Sequence, residues 1–291
     1  MVCRPRAGNV HTTSPGQQPI DRYIRRMAQL LVRSADGTQI SSESYGQGRP
    51  LLIVSGALFA SERWQPVAQI FSTQRRPVVI DRRGRGNSGD TAPYAPEREI
   101  EDILAVLAAL PGPFDLLGHS SGAILSLQVA ARSPANLERL VVYEPPVFLN
   151  EADRIAQDLP ERLDALLAAG EPGQAVDTFL HEGPRVPERE RQAMQASSFW
   201  LREVVAKLGH TVPYDSRVQR SFDADPAELA RIRIPTLMLI GGASPERMRA
   251  GAVTVAARLP NARIRELQGQ EHMAQMTAVP LFAAAVNEFL S

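Results

Sequence analysis

Phe114-Asp115-Leu116-Leu117-Gly118-His119-Ser120-Ser121-Gly122-Ala123-Ile124-Leu125-Ser126-Leu127-Gln128-Val129-Ala130-Ala131-Arg132 is the stretch that decides how the rest of the chain is read. A short apolar run (Phe114, Leu116, Leu117) ends at Gly118, and apolar residues then recur at Ile124, Leu127, Val129 and Ala130 as on a buried helix. The spacing predicts a strand, a sharp turn and a helix. Glycines on both sides of Ser120 suit a strained turn, because only a residue without a Cβ lets strand and helix approach so closely. Ser120 is then expected to project its hydroxyl above the sheet edge as a nucleophile. The Ser121 amide, at the helix N-terminus, would face negative charge developing on a bound carbonyl oxygen. The pattern G-x-S-x-G is short, and its weight comes from the strand-to-helix context. An ordinary Gly/Ser-rich turn is the competing explanation.

Outward from this unit, buried strands alternate with helices. Leu51–Val54, Pro77–Ile80, Leu137–Tyr143, Pro235–Ile240 and Ala262–Leu267 read as strands. Trp64–Phe71, Glu97–Leu110, Pro245–Leu259 and Val279–Leu290 read as helices, and a hairpin turning at Asp36-Gly37 joins Gln29–Ser34 to Gln39–Tyr45. Such alternation predicts an α/β fold, a mainly parallel sheet with helices on both faces. Ligands gather at the carboxyl ends of the strands in these sheets. Ser55, Asp81, Ser120, Glu144, Gly241 and the segment Gln268–His272 fall there. Residues 146–233 show no strand-like run; helical segments at Ile155–Ala169 and Arg189–Leu208 suggest a helical cap inserted between core segments 28–145 and 234–291. Residues 1–27, rich in Pro, Gly, Ser/Thr and Arg, are expected to form a disordered or extended tail.

Composition narrows the function classes. Lys+Arg and Asp+Glu both total 32 in 291 residues, so nothing in the charge balance suggests a nucleic-acid partner. No apolar run approaches a membrane span. The lone cysteine, Cys3, excludes an internal disulfide framework and a cysteine metal site, and fits a reducing cytoplasm. Gly84, Gly86 and Gly89 form G-x-G-x-x-G after a strand, but a dinucleotide turn needs a helix opening at its third glycine, and Pro93 and Pro96 interrupt the residues beyond Gly89. Arg82, Arg83 and Arg85 are accordingly read as solvated or structural rather than as phosphate ligands.

A serine nucleophile needs a base and a carboxylate to orient that base. Of five histidines, His272 alone sits in a loop after the last strand, and it is the expected base; His11 is in the tail, His119 inside the turn, and His181 and His210 in the insertion.

With these residues in view, the chain from about residue 28 to 291 resembles the α/β-hydrolases. Gly118-His119-Ser120-Ser121-Gly122 matches their nucleophile elbow, Asp81-Arg82-Arg83-Gly84-Arg85-Gly86-Asn87-Ser88-Gly89 their D-x-R-G-x-G-x-S loop, and Gly269-Gln270-Glu271-His272 the loop carrying their histidine. The resemblance implies a second oxyanion donor after the strand Leu51–Val54. Here the sequence is Ser55-Gly56 rather than the common His-Gly, and the Ala57 amide, with Leu58 beside it, takes that role. It also implies an acid after the strand ending near Ile240, where this chain has Ser244. Some members take the acid from the preceding strand end, which makes Glu144 the expected acid, with Glu246 and the lack of any functional acid as the alternatives. That arrangement is similar to fungal lactonases that open zearalenone.

The expectation is a cofactor-free serine hydrolase acting on a small apolar ester or lactone through Ser120, His272 and Glu144, with Ala57 and Ser121 holding the oxyanion. Leu58, Phe148, Trp200, Tyr214 and Met273 are the expected substrate contacts. No metal, nucleic acid or membrane is implied, and a homodimer stays open. A cofactor-free haloperoxidase-like or C–C bond hydrolase, a natural-product cyclase or acyl transferase, and a ligand-binding receptor with a residual triad remain alternatives.

Overall fold

A computed structural model describes residues 28–148, 150 and 153–291. The tail expected over 1–27 lies outside the described residues. Eight strands form one sheet: β1 (Ala28–Arg33), β2 (Gln39–Ser44), β3 (Pro50–Val54), β4 (Arg76–Ile80), β5 (Phe114–His119), β6 (Leu137–Tyr143), β7 (Thr236–Gly241) and β8 (Ala262–Leu267). Their spatial order is β1-β2-β4-β3-β5-β6-β7-β8. β1 pairs with β2, and β2 with β4, antiparallel; every other pairing is parallel. The β1–β2 turn is built at Asp36-Gly37, where Gly37 adopts φ +84° and the Asp36 carboxylate accepts the Thr38 N–H at 2.9 Å.

The helices are α1 (Gln65–Phe71), α2 (Pro96–Ala109), α3 (Ser121–Ala131), α4 (Leu159–Ala168), α5 (Pro172–Glu182), α6 (Glu188–Ala196), α7 (Ala206–Leu208), α8 (Val212–Arg220), α9 (Pro226–Leu229), α10 (Glu246–Ala257), α11 (Ala274–Thr277) and α12 (Val279–Leu290). Side chains alternate across a strand, so β3 sends Leu52 and Val54 to one face and Leu51 and Ile53 to the other. The first pair packs with residues of α2, α3 and α10, the second with residues of α1 and α12. Burial on both faces is the reason the central strands read as unbroken apolar runs rather than as alternating patterns.

Between β6 and β7 the described residues form only helices, α4 to α9. Arg189–Leu208 is not the one helix its periodicity suggests. α6 buries none of its residues and ends at Ala196; Ser197 is extended, its hydroxyl accepts the Trp200 N–H at 3.3 Å, and a wider π-helical stretch runs over Trp200–Val205. A polar helix without a buried face has little to hold it in register, and serine competes for the backbone at such a point. Among the described residues, no helix is long and apolar enough to cross a membrane.

Candidate active site

β5 is buried along its whole length between β3 and β6, and the chain reverses at Ser120 (φ +57°, ψ −127°) directly into α3. Left-handed φ on a serine is strained. Two glycines make the turn possible. A Cβ on Gly118 would run into the Ser126 hydroxyl and the Gly122 carbonyl, and one on Gly122 into the Val54 and Ser55 carbonyls. The Ser120 amide is held by the Tyr143 carbonyl at 3.0 Å, so the turn is tied to the neighbouring strand end.

At that strand end lies Glu144, fully buried, with φ +45°. One carboxylate oxygen accepts the Gly241 N–H at 2.7 Å, and the other faces His272 Nδ1 at 2.8 Å. Burial by itself would raise the Glu144 pKa. The hydrogen bond and charge of His272, the neighbouring Ser244 hydroxyl, placed short of full hydrogen-bond geometry, and the Gly241 amide outweigh it and hold the carboxyl below its ordinary range. An ionised acceptor requires a proton on Nδ1, so that in the neutral form of the ring the lone pair is on Nε2, at the opposite side. Glu246, by contrast, opens α10 with its side chain 87% exposed, 3.7 Å from Arg249. Of the two expected acids, Glu144 is the one brought to His272.

The loop carrying His272 is fastened by groups that the sequence reading did not single out. The Tyr143 hydroxyl donates to the Glu271 carbonyl and accepts the Ala274 N–H at 3.1 Å. His119 faces the His272 carbonyl through Nε2 at 3.0 Å, so Nε2 carries its proton. Its ring is buried among Phe59, Trp64, Tyr143 and His272; that burial, reinforced by His272, holds its pKa well below the ordinary value and keeps it neutral. The available signal was position alone: His119 precedes Ser120, and Tyr143 precedes Glu144.

Three of the seven non-glycine residues with positive φ among the described residues are Ser120, Glu144 and Leu58 (φ +59°). Strain of this kind persists where the surroundings over-determine it. Leu58 and Ala57 pack into the apolar cluster of the insertion, with Val176, Leu180, Val205 and Trp200. Ser121 begins α3, and its buried hydroxyl donates to Asp215 of α8 at 2.7 Å. Arg82, Arg83 and Arg85 are buried in ion pairs: Arg82 with Glu99 and Asp215, Arg83 with Asp36 and Asp102, Arg85 with Asp215. They are structural rather than solvated. Burial opposes the ionisation of Asp215 and Glu99, and the guanidinium groups reverse that, leaving both below the usual carboxylate range.

The remaining expected contacts lie in different surroundings. Trp200 is half-buried and lines a cleft of about 320 Å³ with Val176, Leu180 and Val205. Phe148 is buried beneath the Arg247 guanidinium, 5.0 Å from its ring, and borders a separate small cleft with Ile155 and Phe222. Tyr214 stacks on Tyr94 at 3.8 Å and donates to Asp90 at 2.8 Å, at the seam between α8 and the loop after β4. Met273 is half-buried against the cluster that contains Tyr143 and Phe282.

The chain matches the sequence profile described as the alpha/beta hydrolase family over residues 51–285. It is 28% identical over 268 residues to the N-formylmaleamate deformylase of Pseudomonas putida, covering 88% of this chain and 94% of that one. With a pimeloyl-acyl-carrier-protein methyl ester esterase of Legionella pneumophila it shares 22% identity over 267 residues, covering 86% and 99%. The crystal structure of an alpha/beta hydrolase from Sphaerobacter thermophilus is similar with a TM-score of 0.82 and 40% identity, over 90% of this chain and 100% of that one.

Proposed function

The chain belongs to the alpha/beta hydrolase family, a family of enzymes, and from that premise we propose that it is a serine hydrolase that cleaves a small apolar carboxylic ester or lactone. The observation that carries the reading is the 2.8 Å contact between His272 Nδ1 and the buried Glu144 carboxylate, with Ser120 on a strained turn whose amide is held by the carbonyl of Tyr143, the residue before Glu144. In this reading Ser120 Oγ attacks the carbonyl carbon while His272 Nε2 accepts its proton. Glu144 fixes the tautomer and stabilises the imidazolium. The amides of Ala57 and Ser121 receive the oxyanion. His272 then protonates the departing alkoxide, and water, activated by the same imidazole, releases the acid from the acyl-enzyme. The insertion acts as a cap. An acyl group held at Ala57 meets the apolar cluster of Leu58, Val176, Leu180, Val205 and Trp200, which favours an apolar substrate. The single Cys3 is in keeping with a cytoplasmic setting.

One observation favours a second reading, hydrolysis of an N-acyl bond: the relative at 28% identity is named a deformylase. The same residues serve it, with His272 protonating a nitrogen leaving group. The test is to assay p-nitrophenyl butyrate and an N-formyl amide with the wild type and Ser120→Ala, alongside labelling by a fluorophosphonate. Ser120→Ala is expected to lose labelling and turnover of whichever substrate is cleaved. Retention of either overturns the serine mechanism.

A further inference from the structure

The geometry points to Asp215, on the cap helix α8, as a positioning residue that sets the spacing of the two oxyanion donors, an assignment that rests on the serine-hydrolase reading above. Those donors lie on separate chain segments, the Ala57 amide just past β3 and the Ser121 amide at the start of α3. Their separation is therefore a tertiary property. Arg82 spans the gap. Its Nε and Nη2 are engaged by the Glu99 carboxylate at 2.6 and 2.7 Å, which fixes the guanidinium plane. Its remaining nitrogen, Nη1, faces the Ser55 carbonyl at 3.2 Å, the Ser121 hydroxyl at 3.0 Å and Asp215 Oδ1 at 2.8 Å. Ser55 is two residues before one donor, and Ser121 carries the other.

Asp215 closes this arrangement. Its Oδ1 accepts the Ser121 hydroxyl at 2.7 Å, and its Oδ2 accepts Arg85 Nη2 at 2.8 Å. Arg82, Arg85, Glu99, Ser121 and Asp215 are all buried, with two positive and two negative charges in balance. In such surroundings each hydrogen bond is strong and directional, and an unbalanced charge is costly. The Ser121 side chain is thereby held by the cap, 94 residues away in the chain, and the amide on the same residue is held with it. The donors are in register only while α8 is seated, so closure of the cap and competence of the oxyanion hole are one event.

The experiment compares wild type, Asp215→Asn and Ser121→Ala, with turnover expressed per site titrated by a fluorophosphonate and with the inhibition constant of phenylboronic acid, which forms a tetrahedral adduct on the serine. A misplacement of about 1 Å costs on the order of 10²-fold, so Asp215→Asn is expected to lose roughly 10- to 100-fold in kcat per titrated site. KM should change by no more than about twofold, and the affinity for phenylboronic acid should fall in parallel with kcat, since only transition-state interactions are lost. Ser121→Ala, which keeps the ion pairs and the amide, should lose less in the same direction. A purely structural Asp215 would lower the melting temperature or the titratable fraction and leave per-site kcat and boronate affinity unchanged, and that result overturns the assignment. If Asp215→Asn does not fold, unchanged per-site turnover in Ser121→Ala overturns it equally. Failure of the underlying reading is separately visible, as activity that survives Ser120→Ala.

Discussion

The ends of β6 and β7 lie side by side, and the Glu144 amide donates to the Leu239 carbonyl at 3.2 Å, yet the two ends supply opposite things. The β6 end presents a buried carboxylate, Glu144. The β7 end presents a buried hydroxyl, Ser244, and a backbone amide, Gly241 N–H, which donates to that carboxylate. Adjacent parallel strands finish in the same layer, so a carboxylate can reach one imidazole from either. What changes is the partner. With a carboxylate at the β6 end, the β7 end becomes its hydrogen-bonding scaffold. A second carboxylate at 244 would crowd the first with like charge and push the pair toward protonation.

The largest expected effect separates these two ends directly. Glu144→Gln keeps the shape of the side chain and removes the charge that, in the proposed mechanism, stabilises the His272 imidazolium. Turnover of p-nitrophenyl butyrate is expected to fall on the order of 10⁴-fold, the loss seen for the equivalent change in a serine protease, with circular dichroism unchanged. A loss of less than about tenfold in a folded variant would mean that the β6 end does not carry the acid.

A second effect, in stability, sharpens the contrast through its sign. The Glu144 carboxyl is held below its ordinary range in the folded chain, whereas in the unfolded chain it titrates near about 4.3. The unfolded state thus takes up the proton more readily. The stabilisation is complete above that value and is lost as pH falls through the folded one. Glu144→Gln lacks it at every pH. In urea unfolding, the gap between wild type and the variant should be widest above about pH 5 and should narrow below about pH 4. A gap that stays constant down to pH 3 would indicate that Glu144 is not the ionised partner of His272.

Both ends were legible in the sequence to different degrees, for physical reasons. Leu140-Val141-Val142 followed by Glu144 announces a carboxylate at a buried strand end, and burial demands a partner for it. The elbow was legible because its signal is local: Gly118 and Gly122 lie within two residues of Ser120. Asp215 was not, because its partners Arg82 and Ser121 are 133 and 94 residues distant and nothing in its own neighbourhood marks it. The aromatics of the insertion suffered from the same lack of local signal. Tyr214 reads like Trp200 in sequence, yet one stacks on Tyr94 at the seam and the other borders a cleft. Arg82, Arg83 and Arg85 were readable as structural only in part, since solvated and buried ion-paired arginines share one sequence pattern.

The smallest expected effect concerns Glu246, the carboxylate nearest in sequence to where the family's acid usually lies. Its side chain is 87% exposed and its one close cation among the described residues, Arg249, stands one helical turn on at 3.7 Å. Exposed pairs of this spacing contribute roughly 0.2–0.5 kcal/mol, and a carboxylate in the first turn of a helix adds a dipole interaction of similar size. Glu246→Gln removes both without touching His272, whose Nδ1 already faces Glu144. Turnover and KM should stay within about twofold of wild type, and any stability loss should be under roughly 1 kcal/mol and shrink further in high salt, where exposed charges are screened. A stability change alone would leave the comparison intact. A fall in kcat comparable to that of Glu144→Gln would break it, because it would require α10 to swing its first turn inward during turnover and deliver a second carboxylate from the β7 side.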